Sequence, residues 1–513
     1  MLVKIIQAIN NVKKSAANKE QYFNTDNLKS ELKQRSIRGG AVTILAQGSK
    51  FVLQMGSTII LARLLLPEDY GLIGMVTVAI GFAKLFKDLG LSNATIQKAE
   101  IDREQVSTLF WINFAISCLT AIVVAATAPL LSWFYQEPRL TGITLALTSI
   151  FILGGLTVQH QALLRRQMHF LKLAKIEIAS TLFSVVVAII AAKLGFGYWA
   201  LVFMQIAVAA GNTVGVWWAC SWRPGPPVMG SGVKSMLAFG GNLTGFNLVN
   251  YFSRNLDNIL IGRYWGSQQL GIYAKAYQLV LLPIQQINTP ITSVALPALS
   301  SLQNNPKQYR KYYYQAILLI STLGMPAIAF LFASADKAIL LTLGEQWLDV
   351  VPIFRYLMPA AFNATIGVGI GWVYQSLNLV NRLFRWGVVS ATINVILFVV
   401  GVRWGAVGVA AAYGLSRPLF LIAGFAYCYH GTPLKLSELA KTLAFPTVAS
   451  FGAAAILMGI NHWLPNNFNI GIAFLLDLIL YALFYLGIWL IMPNGKSILL
   501  DMVQLVKTLK SKK

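Results

Sequence analysis

The sequence predicts an all-α polytopic membrane protein, and three observations predict it. Long apolar runs recur every twenty to thirty residues from Ile37 to Met492, each near the length of about 20 residues that a bilayer core demands of one spanning helix. The composition is 56% hydrophobic and only 12% charged, with a mean hydropathy of +0.63, whereas soluble domains carry about a quarter charged residues. Lysine and arginine, finally, gather in every second loop. Together these predict about fourteen transmembrane helices, arranged as two parallel six-helix lobes around a central cavity plus two C-terminal helices.

Residues 1–36 are polar and charged and predict a cytoplasmic N-terminal segment without a cleavable signal. Within it, Met1 to Asn11 places Leu2, Ile5, Ile6 and Ile9 on one side, which suits either a short helix on the cytoplasmic leaflet or a basic tail. Spans 39–64 and 69–90 follow, joined outside at Arg63 and closed inside by Lys84, Lys87, Lys98 and Arg103. Spans 106–134 and 140–161 meet outside at Arg139 and end inside at Arg165, Arg166, Lys172 and Lys175. Spans 176–194 and 198–219 flank Lys193 and lead into an inter-lobe loop, 220–234, with Arg223 and Lys234. The first lobe is thus 37–219.

The second lobe, 235–428, repeats the layout. Spans 235–262 and 269–298 flank Arg263 and precede Lys307, Arg310 and Lys311; 313–333 and 350–376 flank Lys337 and precede Arg382 and Arg385; 383–402 and 405–428 flank Arg403 and precede Lys435 and Lys441. Two appended spans, 439–460 and 469–492, complete the segment 429–492, and a basic cytoplasmic tail occupies 493–513. Counted by side, thirty basic residues face one compartment and six the other. A five-to-one bias fits an even number of crossings with both termini cytoplasmic. Trp133, Trp199, Trp222, Trp265, Trp404 and Trp463 fall at expected span ends, where indole rings favour headgroups.

Several function classes are excluded. The formal charge of +23 is spread over short loops rather than gathered in a stripe, so nucleic acid is not the partner. Cys118, Cys220 and Cys428 are isolated packing residues, and the four histidines are scattered, so neither a metal site nor a cofactor is expected. Gly367, Gly369 and Gly371 sit in no βαβ unit and no Walker motif is present, so nucleotide binding is rejected. Any transport is then driven by a gradient or by the substrate. A membrane-embedded enzyme is disfavoured because the outside connections are short and their acidic residues form no catalytic set.

The chain also resembles itself. At an offset of 200, Ile60-Leu61-Ala62-Arg63 lies over Leu260-Ile261-Gly262-Arg263, and Tyr70-Gly71-Leu72-Ile73 over Leu270-Gly271-Ile272-Tyr273. At 210, Lys193-Leu194-Gly195 lies over Arg403-Trp404-Gly405. Six spans per repeat place both copies in the same orientation, the architecture on which alternating access is built.

Ionisable residues inside spans cost at least ~2.5 kcal/mol each at a helix centre and normally face a bundle interior or water. Lys50, Arg254, Asp257, Lys275, Arg355, Arg417 and Asp477 qualify, and five of the seven are cationic. Arg254 and Asp257 are three residues apart and either neutralise each other or serve a ligand, with Asp257 then available for ion coupling. Lys50, Lys275, Arg355 and Arg417 have no acidic neighbour in their own spans, so an anionic ligand is one source of the missing charge. Snorkelling of Lys50 and Arg355 is the competing reading. Asp477 receives no role. Prolines 283, 290 and 297, with Pro326, Pro352, Pro359, Pro418 and Pro446, place bends mostly in the second half.

At these residues the chain resembles a known family, the polysaccharide transporters: the O-antigen and exopolysaccharide flippases, or lipopolysaccharide biosynthesis proteins, of the multidrug/oligosaccharidyl-lipid/polysaccharide (MOP) superfamily. The resemblance rests on Ile59-Ile60-Leu61-Ala62-Arg63-Leu64-Leu65-Leu66-Pro67-Glu68-Asp69-Tyr70-Gly71-Leu72, on Asp88-Leu89-Gly90-Leu91, and on Asn255-Leu256-Asp257-Asn258-Ile259-Leu260-Ile261-Gly262 with Leu270-Gly271-Ile272-Tyr273. It implies a MOP fold in the bacterial inner membrane and a flippase that carries polyprenyl-diphosphate-linked oligosaccharide from the cytoplasmic to the periplasmic leaflet. Implied partners are that lipid, membrane lipids, the polysaccharide polymerase machinery and a sodium or proton gradient. The cations Lys50, Arg254, Lys275, Arg355 and Arg417 suit a diphosphate, and Gln54, Asn242, Asn247, Asn250, Asn363 and Gln375 are available to sugars. The alternative is a cation-coupled multidrug or metabolite antiporter of the same superfamily, but a coupling acid is expected in an early helix of such antiporters, and the first span here contains Lys50 and no Asp or Glu.

Overall fold

The computed structural model describes residues 32–85, 91–98, 101–228, 234–463, 469–493 and 495–500. The expected Met1–Asn11 helix lies outside them, as do most of the basic tail and part of the 220–234 loop. Every regular element among the described residues is helical: α1 (Leu32–Leu64), α2 (Pro67–Lys84), α3 (Leu91–Gln97), α4 (Arg103–Tyr135), α5 (Arg139–Arg166), α6 (Phe170–Lys193), α7 (Trp199–Ala219), α8 (Lys234–Ser301), α9 (Pro306–Ala333), α10 (Ala335–Thr342), α11 (Val350–Ser376), α12 (Val380–Gly401), α13 (Gly405–Tyr429), α14 (Leu436–Trp463) and α15 (Ile470–Ile491). Helix ends carry their own signals. Asp102 Oδ1 accepts the Gln105 N–H at 2.7 Å to start α4, and Asn469 Oδ1 accepts the Gly471 N–H at 2.9 Å to start α15. Pro306 opens α9, where its missing N–H costs nothing.

Ten stretches among the described residues are long and apolar enough to cross a membrane. Two of them, Arg254–Ser301 and Val380–Tyr429, run 48 and 50 residues, about twice what one crossing needs. Each contains a backbone break, at Gly266 (φ 77°) and Gly405 (φ 72°) respectively.

Those breaks recur at the repeat offsets. At the first offset Gly266 falls on Leu66, whose extended backbone (φ −83°, ψ 158°) separates α1 from α2. At the second, Gly405 falls on Gly195, which also has positive φ (82°). Asn378 (φ 56°), which ends α11, falls by that same second offset on Met168 (φ 54°), which follows α5. Left-handed backbone is uncommon outside glycine, so its recurrence at the repeat spacing supports the internal repeat on grounds independent of residue similarity.

The chain forms two compact units, Met1–Gln268 and Gln269–Lys513. Residues 235–268, expected in the second lobe, therefore cluster with the first unit, and contacts with α2 account for it. The Tyr251 hydroxyl donates to the Val78 carbonyl at 2.8 Å, Phe82 and Phe252 rings lie 5.0 Å apart, and a Cβ on Gly71 would fall 1.7 Å from the Ser267 carbonyl oxygen. Only a residue without a side chain lets these backbones meet.

Two hydrophobic clusters of unit 1 lie among the described residues. One joins Phe110, Leu163, Val216 and Trp222; the other sets Leu61 and Leu65 of α1 against Ala188, Ala191 and Ala192 of α6, small residues that let helices approach. Trp222 departs from the expected headgroup position: it is buried, 5.0 Å from His160 and 6.1 Å from Phe110. Trp133, Trp404 and Trp463 are exposed. Cys220 and Cys428 are buried and Cys118 half-buried, all as free thiols. Where α4 turns into α5, Glu137 pairs with Arg139 at 2.7 Å, and Arg139 also reaches Glu68 of α2. The hydrogen bonds from Arg139 hold the Glu137 carboxyl below the usual carboxylate range.

Unit 2 has a tyrosine-rich core, in which Tyr309 shares a hydrogen bond with Ser376 at 2.7 Å and Tyr429 donates to Tyr313 at 3.1 Å. A second cluster seats α14 and α15 on α9 through Phe330, Ala449, Ala453, Leu457, Tyr481 and Trp489.

Candidate functional site

In unit 1, Lys50 of α1 forms an ion pair with Glu177 of α6, with both side chains partly exposed. The acid absent from its own span is thus supplied by a neighbouring helix. Arg254 is exposed and Asp257 buried, at 4% exposure. The two do not form an ion pair among the described residues, and one Asp257 carboxylate oxygen accepts the Asn258 N–H at 2.8 Å.

In unit 2, Lys275 is buried at 4% exposure and its Nζ donates to Gln278 Oε1 at 3.4 Å. Arg355 lies in the second turn of α11 and pairs with Asp336 of α10, both side chains being substantially exposed. Arg417 differs. It is 7% exposed in the middle of α13, its guanidinium lies 3.8 Å from the Tyr413 ring centre and 4.8 Å from that of Phe420, and it donates to Asn394 and, at 3.3 Å, to the Tyr413 carbonyl. Among the described residues Arg417 forms no ion pair, so aromatic faces and an amide hold a full positive charge inside an apolar span.

Asp477, to which the sequence gives no role, is the centre of a buried network in unit 2. Lys337 Nζ lies 2.9 and 2.8 Å from its two carboxylate oxygens; Asn461 Nδ2 donates to it at 3.1 Å and Ser334 Oγ at 3.2 Å, while Lys337 also donates to Asn461 Oδ1 at 3.1 Å. Every group of this set is satisfied within it, which marks it as a clasp between α10, α14 and α15 rather than a place for a ligand.

Of the polar residues set aside for sugars, Asn363 lines a pocket of about 480 Å³ in unit 2 bordered by α9, α11, α13 and α14. The side chains of Asn242, Asn247 and Asn250 lie outside the described part. Among the described residues no three His, Cys, Asp or Glu side chains converge as metal ligands.

With the helices and their charges located, comparison decides the family. Residues 60–352 match the family of polysaccharide biosynthesis proteins. The chain belongs to that family. Among its relatives, it is 31% identical to the teichuronic acid biosynthesis protein TuaB of Bacillus subtilis over 54% of this chain and 58% of that one. It is 24% identical to the lipopolysaccharide biosynthesis protein WzxC of Escherichia coli over 77% and 81%. The matched stretch thus spans a little over half the length of TuaB. Of solved structures, the lipid II flippase MurJ in an inward closed conformation superposes with a TM-score of 0.69 at 15% identity, covering 88% of this chain and 98% of that one. An inward-facing multidrug resistance MATE family transporter of the MOP superfamily gives 0.59 at 14% identity over 77% and 96%. This polysaccharide biosynthesis protein therefore shares the all-helical fold of those two transporters, the class of fold expected from its sequence.

Proposed function

We propose that the protein is a flippase that carries a polyprenyl-diphosphate-linked oligosaccharide, the repeat unit of a surface polysaccharide, between the leaflets of the bacterial inner membrane by alternating access. The observation that carries this reading is Arg417: a buried cation in an apolar helix, held by Tyr413, Phe420 and Asn394 with no carboxylate among the described residues. A diphosphate supplies the compensating charge through bidentate, charge-assisted hydrogen bonds. Membership of a polysaccharide biosynthesis family supports the saccharide, and the names of MurJ and WzxC agree with a lipid-linked and surface-polymer role for those relatives.

Arg254 and Lys50 in unit 1, and Lys275 and Arg355 in unit 2, are each proposed as further anion contacts. Lys50 and Arg355 already hold carboxylates, Glu177 and Asp336, so a passing diphosphate exchanges with those acids rather than meeting a free cation. Fourteen crossings with both termini cytoplasmic, coupling to sodium or protons with Asp257 as the coupling acid, and hand-over to a polysaccharide polymerase belong to the same proposal.

The test is depletion of the protein in its host, followed by analysis of extracted lipids and of surface polysaccharide. Lipid-linked oligosaccharide accumulates and surface polymer is lost, both reversed by restoring the gene. Unchanged lipids and polymer, with new sensitivity to cationic compounds, would replace this reading with a drug antiporter.

A further inference from the structure

Unit 1 has an apolar groove of about 790 Å³ between α2, α4 and the part of α8 before Gly266. Its α4 wall is a single helical face that includes Ile116, Val123, Thr127 and Phe134, with Phe82 and Phe252 opposite. The Thr127 hydroxyl donates to the Val124 carbonyl at 2.8 Å, so it is satisfied by its own helix and leaves the wall apolar. From Ile116 to Phe134 the helix rises about 27 Å, close to the ~30 Å of a hydrocarbon core.

One end of the groove carries a charge. The Arg263 guanidinium lies 5.8 Å from the Phe134 ring centre and 5.9 Å from that of Tyr264, and among the described residues it joins no ion pair. In the orientation proposed above, this end lies at the outer face. A long apolar slot with a single cation at its mouth is complementary to an amphiphile with a long hydrocarbon chain and a phosphate at one end.

We infer that this groove holds the isoprenoid chain of the lipid-linked substrate, with the phosphate end of that lipid at Arg263; the inference rests on the flippase reading above. Phospholipid acyl chains share the chemistry of a hydrocarbon on a phosphate, and the test separates the two. The full-length protein in lipid nanodiscs is irradiated with a polyprenyl diphosphate bearing a photoreactive group on its isoprenoid, and in parallel with phosphatidylglycerol bearing the same group on an acyl chain. The polyprenyl probe labels peptides of α2 and α4, and unlabelled polyprenyl diphosphate suppresses that labelling while phosphatidylglycerol does not. Val123→Trp, which fills the slot, abolishes it. Arg263→Ala, outside the apolar wall, weakens the competing affinity about tenfold or more, as expected for one lost charge-assisted hydrogen bond.

Equal labelling of α2 and α4 by phosphatidylglycerol, uncompeted by polyprenyl diphosphate, would show ordinary bilayer contact and overturn the inference. Competed labelling confined to unit 2 would overturn it while leaving the flippase reading intact. If polyprenyl diphosphate competes nowhere on the chain, the flippase reading itself fails.

Discussion

Lys337 and Asp477, far apart in sequence, meet through both carboxylate oxygens at 2.9 and 2.8 Å, and the two residues are buried, at 9% and 3% exposure. Removing one partner leaves a buried charge uncompensated, which typically costs about 3–5 kcal/mol. Asp477→Ala is therefore expected to lower the thermal unfolding temperature of the purified protein markedly. Combining it with Lys337→Met should restore most of the loss, because a buried pair replaced by apolar groups is close to neutral. A double variant no more stable than the single one would show that the clasp contributes more than charge compensation.

Arg417 and Arg355 are expected to separate in a polymer-export assay. Arg417→Lys keeps the charge but loses the planar stack on Tyr413 and the fork to Asn394, so export falls about tenfold or more, the equivalent of at least one charge-assisted hydrogen bond. Membrane abundance stays near normal. Loss of abundance in parallel with export would assign Arg417 to packing.

For Arg355 the informative comparison is with its partner. If the cation binds substrate, Arg355→Ala reduces export and Asp336→Ala does not. Equal effects of the two single variants, with nothing further in the double variant, would make the pair structural; the same logic applies to Lys50 and Glu177.

The clasp of Glu68, Glu137 and Arg139 gives a pH dependence. The Glu137 carboxyl titrates below its usual value because Arg139 donates to it, so its contribution is present above the unfolded pKa of about 4.3 and is lost as pH falls through the lowered folded value. Glu137→Gln should thus be less stable than the parent at pH 7, by under about 1 kcal/mol for so exposed a pair. The difference should vanish in strong acid. A gap that does not shrink as pH is lowered would contradict the assignment.

Gly71→Ala should impair the fold of unit 1. The added Cβ would meet the Ser267 carbonyl oxygen at 1.7 Å, which backbone cannot yield without moving helices, and overpacking of this kind costs about 1–3 kcal/mol. Thermal unfolding checks it; Gly459→Ala, where a Cβ meets nothing within 4 Å, is the control and should be neutral.

The class of fold was legible because a bilayer imposes length and polarity on each span, and both can be counted. The sequence alignment at the second offset sets Gly195 over Gly405, and both have positive φ in the structure. Partners of the intramembrane charges were not legible. Lys50 meets Glu177, Arg355 meets Asp336 and Asp477 meets Lys337, each across helices whose adjacency is a matter of packing that hydropathy does not encode. Counting spans across the repeat puts residues 235–268 with the second lobe, whereas contact is set by Gly71, Val78 and Phe82 meeting the chain near Tyr251 and Ser267.

The matched backbone breaks carry a practical meaning. Positions that correspond across the repeat hold unlike chemistry: Lys50 answers to Asn250 and Lys275 to Met75 at an offset of 200, and Arg417 to Ala207 at 210. Backbone breaks and intramembrane charges thus fall on separate sets of residues. Side chains at corresponding positions can be exchanged between the halves without touching the residues that bend the chain, so swapped variants separate what the charges do from what the bends do.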